Sequence, residues 1–593
     1  MGDYEPLLPQ LEGDDNLIAA VKHIVGALSS NKNLTKDVKK ILAGLGTQLS
    51  TMAAKPGIEH HFSVVEEKIM SYKDDKSMIW DSGSEEAVDY LNAVDEAVKL
   101  KERLENQCSD SKEEKDLLRR ACDVLQMAMQ RLEEEFKHML VHHRQPFEPQ
   151  NTLFRSSEDD GSLVSLRDDS VRIDSVHPDV IPDLKCIASL MFKSNYGLEC
   201  CRAYVLVVKK ALAECLFNLE MEKLSIEDVL NMEWGALYSK IKRWIRTMKV
   251  FIRPYLASEK WLCDQVLADL GSGNLGMFVE AAKDSMLQLL NFAHAVSMGS
   301  RQPEKLVRIL DMYEVLADLL PDIDALFVDE AGSSIRTESH EVFKRLGDFI
   351  MAAFHEFETA IATNMSTSSL AGGGIHHLTR YVMNYILLLA DYKNTLKDFS
   401  GSCCTMSLHL RSLASALEAK LDEKSKLYKD PSLQHFFLMN NIHYMAQKVK
   451  NSELRLIFGD DWIRKRNWKF QRHAMDYERA TWSSVLSLLK GESDSSSGSI
   501  SGTLLKERLR RFYAAFEEVY KTQTAWLILD VQLREDLRIS TSLAVIQAYR
   551  TFIGRQIYRI AEKHIKYNSE DMEDYLLDLF EGSQKSLHNP HRR

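Results

Sequence analysis

The stretch GGGIHHLTRYVMNYI, residues 372–386, admits three readings, and the choice among them decides the fold. Three glycines look like a phosphate-cradling loop, and two histidines look like a metal pair. A phosphate loop needs a lysine followed by Ser or Thr after its glycines, whereas Gly374 is followed by Ile375 and His376. A metal pair on a helix needs its histidines one turn apart. Neighbours such as His376 and His377 point about 100° apart, and their i+4 positions hold Arg380 and Tyr381. What remains is a flexible glycine hinge leading into a helix whose buried stripe is Leu378, Tyr381/Val382, Tyr385 and Leu389. Free N–H groups at the start of such a helix could still hold an anion.

A helix at this point agrees with the rest of the chain. Among 593 residues, glycine (26) and proline (12) are scarce, and the long segments are dominated by Leu, Ala, Glu, Lys, Met and Arg, which lose little rotamer freedom in a helix. The composition predicts an all-α protein, and by length alone it could hold about three to five domains. No stretch comes near the roughly 20 apolar residues of a membrane span, and the start, MGDYEPLLPQLEGDD, lacks the basic and apolar regions of a signal peptide. Pro6 stands where a myristoylation pattern wants Ser or Thr, and the tail LHNPHRR has no cysteine to prenylate. The chain is therefore expected in the cytoplasm, with any membrane contact peripheral. Nine cysteines, in no zinc-type spacing, read as reduced and mostly buried thiols. A formal charge of −12 argues against nucleic acid as a general partner.

Helical periodicity runs through Leu17, Val21, Ile24 and Leu28, then through Val38, Ile41, Leu45, Leu49 and Met52. Between Ser84 and Val141, Leu118, Leu125, Leu132 and Met139 repeat at sevens, with Ala121 and Ala128 interleaved. That stripe suits either a partner helix or a hairpin with the chain's own first helices. The Pro-, Ser- and Asp-rich text from His142 to Pro182 reads as a linker. This gives N-terminal coiled-coil-like helices at 1–145, a flexible linker at 146–177, and an irregular stack of helices at 178–593 with no fixed-period repeat. GESDSSSGSISG, the most polar late insertion, reads as a disordered loop within that stack.

Nothing in this text carries catalysis. It contains no HExxH, Walker lysine loop, GxSxG elbow, kinase signature or dinucleotide fingerprint. Acidic runs such as SEDMEDYLLD read as solvated helix faces. The expectation is a protein that is not an enzyme, with no catalytic residue, cofactor or metal.

GGGIHHLTRYVMNY also resembles a signature of the seventy-kilodalton subunit family of the exocyst vesicle-tethering complex, plant type. Four further blocks agree with that resemblance: NYGLECCRAYVLVVKKAL (195–212), WGALYSKIKRWI (234–245), NNIHYMAQKVKNSELRLIFGDDWIRKR (440–466) and YRTFIGRQIYRIAEKHIKYNSEDMEDYLLDLFEG (549–582). The resemblance runs from about His177 to Gly582 and sits nearest the E-type paralogues. It implies an elongated rod of stacked helical bundles, an irregular α-solenoid. It implies that the N-terminal helices join other exocyst subunits and that the C-terminal tip binds phosphoinositides at the plasma membrane. It further implies contacts with Rho-type GTPases and peripheral association with the plasma membrane or vesicles.

The last block gives that lipid site candidate residues. On a helical wheel Arg555, Arg559, Lys563 and Lys566 share one narrow face, while Ile553, Ile557, Tyr558, Ile560, Ala561 and Ile565 form a core-facing stripe. A continuous helix through 555–566 is thus expected, followed by a second helix capped by Asn568 or Ser569 that buries Met572, Leu576, Leu579 and Phe580. Lys563 and Lys566 fall where the family's membrane-binding lysines lie. Many relatives have a longer connection there, so this chain departs from the pattern. Four cations near an anionic leaflet contribute roughly 4 kcal/mol, a millimolar-scale attachment, which several weak sites on one complex would reinforce. A second basic cluster, Arg464, Lys465, Arg466, Lys469 and Arg472, interleaves Trp468 and Phe470 and reads first as a solvated face, then as a membrane or protein contact. The alternative function is a general helical scaffold or signalling adaptor that has lost membrane binding.

Overall fold

The computed structural model describes residues 21, 23–25, 27–28, 36–72, 77–107, 112–145, 174–268, 273–365, 370–392, 405–490, 502–556, 558 and 560–585, without the side chains of 42–57 and a few other helix positions. Leu17, most of the expected linker, the Ser-rich insertion, Ile557 and Arg559 therefore lie outside the described residues, as do the side chains of Leu45, Leu49 and Met52. Every regular element among the described residues is helical, as the composition predicts. Two isolated bridges, Arg144 with Val176 and Leu527 with Glu581, pair extended backbone.

In chain order the helices are α1 Lys36–Ser71, α2 Ile79–Ser82, α3 Ser84–Gln107, α4 Lys112–His142, α5 Ile181–Lys193, α6 Gly197–Asn218, α7 Ile226–Leu230, α8 Trp234–Val250, α9 Ala257–Val266 and α10 Gly273–Ser297. They continue as α11 Pro303–Leu326, α12 Ser333–Ala362, α13 His377–Leu389, α14 Thr405–Ser425, α15 Pro431–Lys450, α16 Leu454–Phe458, α17 Asp460–Ser487, α18 Gly502–Gln523, α19 Val531–Gln556 and α20 Ser569–Leu577. They form two compact units, Met1–Phe292 with Ala317–Glu341, and Ala293–Leu316 with Val342–Arg593.

In the first unit α1, α3 and α4 pack together, and α4 also lies on α5 and α6. The heptad stripe is consumed there: Ala121, Leu125, Ala128, Leu132 and Met139 are all buried, and Leu118 is half-buried. The stripe is buried within the chain, against α3, α5 and α6 as well as α1, and so is not confined to a hairpin with the first helices. Ile24, Leu28, Val38 and Ile41 instead remain exposed. On either side of residues 146–173 the backbone is paired, with Gln145 N–H donating to the Ser175 carbonyl (3.1 Å) and His177 N–H to the His143 carbonyl (3.1 Å). Beside that pairing, Arg144 is bound to the fully buried carboxylate of Glu259. Leaving such a carboxylate unpaired is strongly destabilising. In WGALYSKIKRWI, Leu237, Ile241 and Trp244 form the buried face of α8, and the Trp244 indole donates to the Leu289 carbonyl at 2.8 Å. Four of the described cysteines are buried, and burial pushes the thiols of Cys200, Cys215 and Cys263 up to about 12, so they act as small apolar fillers.

In the second unit the glycine stretch is clamped, which corrects the flexible hinge. Gly372 and Gly373 take φ of 78° and 64°, values that favour glycine because they crowd a Cβ. The turn is held by the buried pair Asn440 and Asn441 of α15. Asn441 Oδ1 accepts from His376 N–H (2.9 Å) and from the Thr379 hydroxyl (2.7 Å), and its Nδ2 donates to the carbonyls of Gly374 (3.3 Å) and Phe437 (2.8 Å). Asn440 Nδ2 donates to the Gly373 and Leu527 carbonyls (2.9 and 3.1 Å), and Leu527 N–H donates to the Gly372 carbonyl (3.1 Å). His376 then caps α13, its Nδ1 accepting from Leu378 N–H at 3.1 Å. Two of the N–H groups expected to be free for an anion are thereby occupied. Val382, Tyr385 and Leu389 are buried as the stripe predicts, whereas Leu378 is half-buried and Tyr381 is exposed and donates to Glu304 (3.2 Å).

Candidate membrane-facing site

The continuous helix through 555–566 is not what forms. α19 stops at Gln556, and a single 3-10 turn, Glu562–His564, follows between extended Ala561 and Ile565. A chain of hydroxyls holds the far end of this segment out of a helix. Lys566 N–H donates to the Tyr513 hydroxyl (3.3 Å), Tyr513 to Tyr549 (2.7 Å), and Tyr549 to the Tyr567 carbonyl (2.6 Å). These backbone groups are taken by the core of α18 and α19, so a helix cannot use them. Tyr567 is buried, edge-on to Tyr513 and Tyr575. Asn568 then caps α20 in a reciprocal pair with Asp571, and Met572, Leu576, Leu579 and Phe580 are buried as expected.

The wheel therefore fails as geometry, and each candidate residue has its own setting. Arg555 ends α19, exposed, and Lys563 is exposed on the 3-10 turn; neither has an ion-pair partner among the described residues. Arg559 lies outside the described residues. Lys566 is half-buried, 2.6 Å from Glu517 and 5.1 Å from the centre of the Tyr567 ring. Burial works to lower its pKa, but Glu517 and Tyr567 outweigh it and hold the ammonium above the ordinary value. Two features escaped the wheel. Tyr558, assigned to the core stripe, is 100% exposed, and Ala561 is exposed as well. Exposed Lys506 of α18 joins from another element: after burial, the charges of Lys506 and Lys563 are what hold the His564 imidazole below its ordinary value. No sequence window could have joined Lys506 to Lys563.

The second basic cluster lies on α17, mostly spoken for. Arg466 and Lys469 both bind Glu418 (2.9 and 2.7 Å), and Arg466 also lies over the Trp462 ring. Burial would raise the Glu418 carboxyl, but these two cations hold it below the usual range. Arg464 pairs with Asp461, and Arg472 lies 3.9 Å from Asp476 and over Trp468. Lys465 is exposed, with no ion-pair partner among the described residues. Beside them opens a cavity of about 670 Å³ edged by Arg464, Lys465, Trp468 and Arg472, and on its other side by His435, His473 and Asp476.

No helix among the described residues is long and apolar enough to cross a membrane. Residues 242–578 match the family described as the C-terminal part of the Exo70 exocyst complex subunit, and residues 62–142 match exocyst complex component Exo70 N-terminal. The chain is 39% identical to the exocyst complex component EXO70E2 of Arabidopsis thaliana, with all of both chains covered. It is 33% identical to EXO70B1 of the same plant, over 96% of this chain and 99% of that one. Its fold is similar to that of solved S. cerevisiae Exo70, at a TM-score of 0.60 and 15% identity, over 88% of this chain and 98% of the yeast chain. With a family match spanning more than half its length and a full-length relative of the E type, the chain belongs to the Exo70 family of non-catalytic exocyst subunits.

Proposed function

We propose that this chain acts in exocytosis as a tethering subunit that joins other exocyst subunits through its N-terminal helices and anionic phosphoinositide lipid through its C-terminal end. The observation that supports the lipid half is that Lys563 and Lys506, both exposed and without an ion-pair partner among the described residues, act together on His564, while exposed Arg555 and fully exposed Tyr558 precede Lys563 in the chain. Arg559 and Lys566 complete the set, Lys566 with its charge partly offset by Glu517. A tyrosine suits the headgroup region because its ring is apolar and its tip polar. The assembly half is supported by the exposed apolar side chains Val38 and Ile41 of α1, with Ile24 and Leu28 before it.

Sedimentation with phosphoinositide vesicles at low and high salt tests the lipid half. Wild type is expected to bind at low salt and to weaken at high salt. Arg555→Glu/Lys563→Glu is expected to lose binding while keeping its helicity. Failure of the wild type to bind at low salt, or equal binding by the variant, would leave the scaffold or adaptor reading in its place. Assembly is tested by Val38→Asp/Ile41→Asp, expected to reduce co-purification with exocyst subunits. Deleting residues 1–145 is a poor substitute, because it would strip the buried face of α4 and Arg144 from the first unit. Rho-type GTPase contact is part of the same proposal; Lys465 and the exposed Trp468 offer a surface for it.

A further inference from the structure

Helices α15 and α17 run antiparallel, because His443 meets Phe470 (4.8 Å between ring centres) while Phe436, seven residues earlier, meets Tyr477 (5.7 Å), seven residues later. Close to the second of those contacts lie His435 of α15 and His473 of α17, with Asp476 about one turn further along α17. The Nδ1 atoms of the two histidines are 3.3 Å apart, and one ligand atom from each of the three residues lies within 4.8 Å of the others. All three side chains are half-buried. Two imidazole nitrogens bound to one tetrahedral zinc at about 2.0–2.1 Å stand roughly 3.3 Å apart. We propose that His435, His473 and Asp476 form a binding site for one divalent transition-metal ion of the zinc type, bridging α15 and α17.

The donor set fits that ion. Two imidazoles and one carboxylate are zinc ligands, and three protein ligands leave a fourth position for water or an anion oxygen. The aromatic contacts hold the helices in register, so the ligands are positioned before the ion arrives. Asp476 has competitors: Arg479 lies 3.6 Å and Arg472 3.9 Å from its oxygens, and both arginines are mostly exposed and can turn outward. Lys469, a further nearby cation, is already paired with Glu418 and Asp422. The site borders the cavity edged by Arg464, Lys465 and Arg472, so its open position would take an anion drawn there by those cations.

The test uses the full chain, stripped with chelator and titrated with Co2+ as a visible probe, then with Zn2+. Wild type is expected to bind one Co2+ with the ligand-field absorption of a four-coordinate site, and Zn2+ to displace it and raise the melting temperature. His435→Ala and Asp476→Asn are each expected to weaken binding by more than the ~10–100-fold that loss of a mere outer-sphere partner costs. His473→Gln keeps most of the side-chain volume and serves if the alanine variant does not fold, with far-UV circular dichroism as the check. Absence of stoichiometric binding by wild type, or equal binding by the folded variants, would overturn the site and leave a histidine–histidine hydrogen bond in its place.

Discussion

Replacing Asn441 by alanine tests whether the glycine stretch is a clamped junction. Asn441 is 0% exposed and its amide makes four hydrogen bonds. Of these, the Phe437 carbonyl is one helical turn back and can be served by the α15 backbone. The other three groups, His376 N–H, the Thr379 hydroxyl and the Gly374 carbonyl, lose a partner in a buried place. Each buried group left unsatisfied costs about 1–3 kcal/mol. The 3.3 Å bond to Gly374 counts least, and a water entering the vacated space recovers part of the rest. A net loss of about 3–5 kcal/mol follows for the second unit. For a unit of this size each kcal/mol moves the midpoint by about 2–4 °C, so scanning calorimetry should show a fall of roughly 6–20 °C in that unit's transition. Amide exchange should accelerate at His376 and through Gly372–Gly374, while the first unit's transition stays in place. A shift below about 2 °C, less than 1 kcal/mol would give, or slow exchange at His376, would mean that the turn is held by packing and not by this side chain.

Gly372→Ala should cost about 2–4 kcal/mol, because its Cβ would lie 2.7 Å from the Ala525 carbonyl oxygen at a φ of 78°. Gly554→Ala, at an open helical position of α19, should stabilise by about 0.5–1 kcal/mol; thermal unfolding of both variants checks the pair. His376, His409 and His443 are each held below the ordinary 6.5 first by burial, with Lys424 and His377 adding to the effect at His376, Lys450 adding at His443, and Glu358 at His409 and Asp530 with Asp536 at His443 opposing it. Below about pH 6.5 the unfolded chain therefore binds more protons than the folded one, so the second unit's midpoint should fall as pH drops from about 7 to 5. His409→Phe, which keeps the stack on Phe354, should flatten that slope. In vesicle binding Lys563→Ala should lose about 1 kcal/mol, or roughly fivefold. Lys566→Ala should lose less because Glu517 already offsets its charge, and Glu517→Gln should strengthen binding.

The all-helical fold was legible because its signals are local. The periodic stripes of α4 and α8 and the Asn568 cap of α20 are each written within a turn or two of helix. The candidate site was legible as a set of basic residues and not as geometry. A wheel assumes that a helix continues, and nothing near residues 555–566 says that Tyr513, far earlier in the chain, takes the Lys566 N–H while Tyr549 takes the Tyr567 carbonyl. The same distance hid Lys506 from Lys563, and Asn441 from the glycines it clamps. His376 and His377 drew attention by adjacency, whereas His435, His473 and Asp476 are brought together only by the antiparallel contact of two helices.

On the proposed reading, a break in the helix suits lipid better than the uninterrupted face the wheel drew. Screening confines electrostatic attraction to about 8 Å at physiological salt, so only cations at the outermost surface act on a leaflet. The net charge of −12 over the whole chain is no obstacle if the acidic residues lie further back. A straight helix packed against its bundle would hold its basic stripe parallel to the core. A broken segment, fixed at Tyr567 by the tyrosine chain before it returns into α20, instead presents Lys563 on its 3-10 turn and Tyr558 to solvent while leaving Lys566 tied to Glu517 as an anchor. The unneutralised cations are then few and the attachment of a single chain stays weak, about 1 kcal/mol for each. Firm attachment would come from several such sites on one complex, and each could release singly.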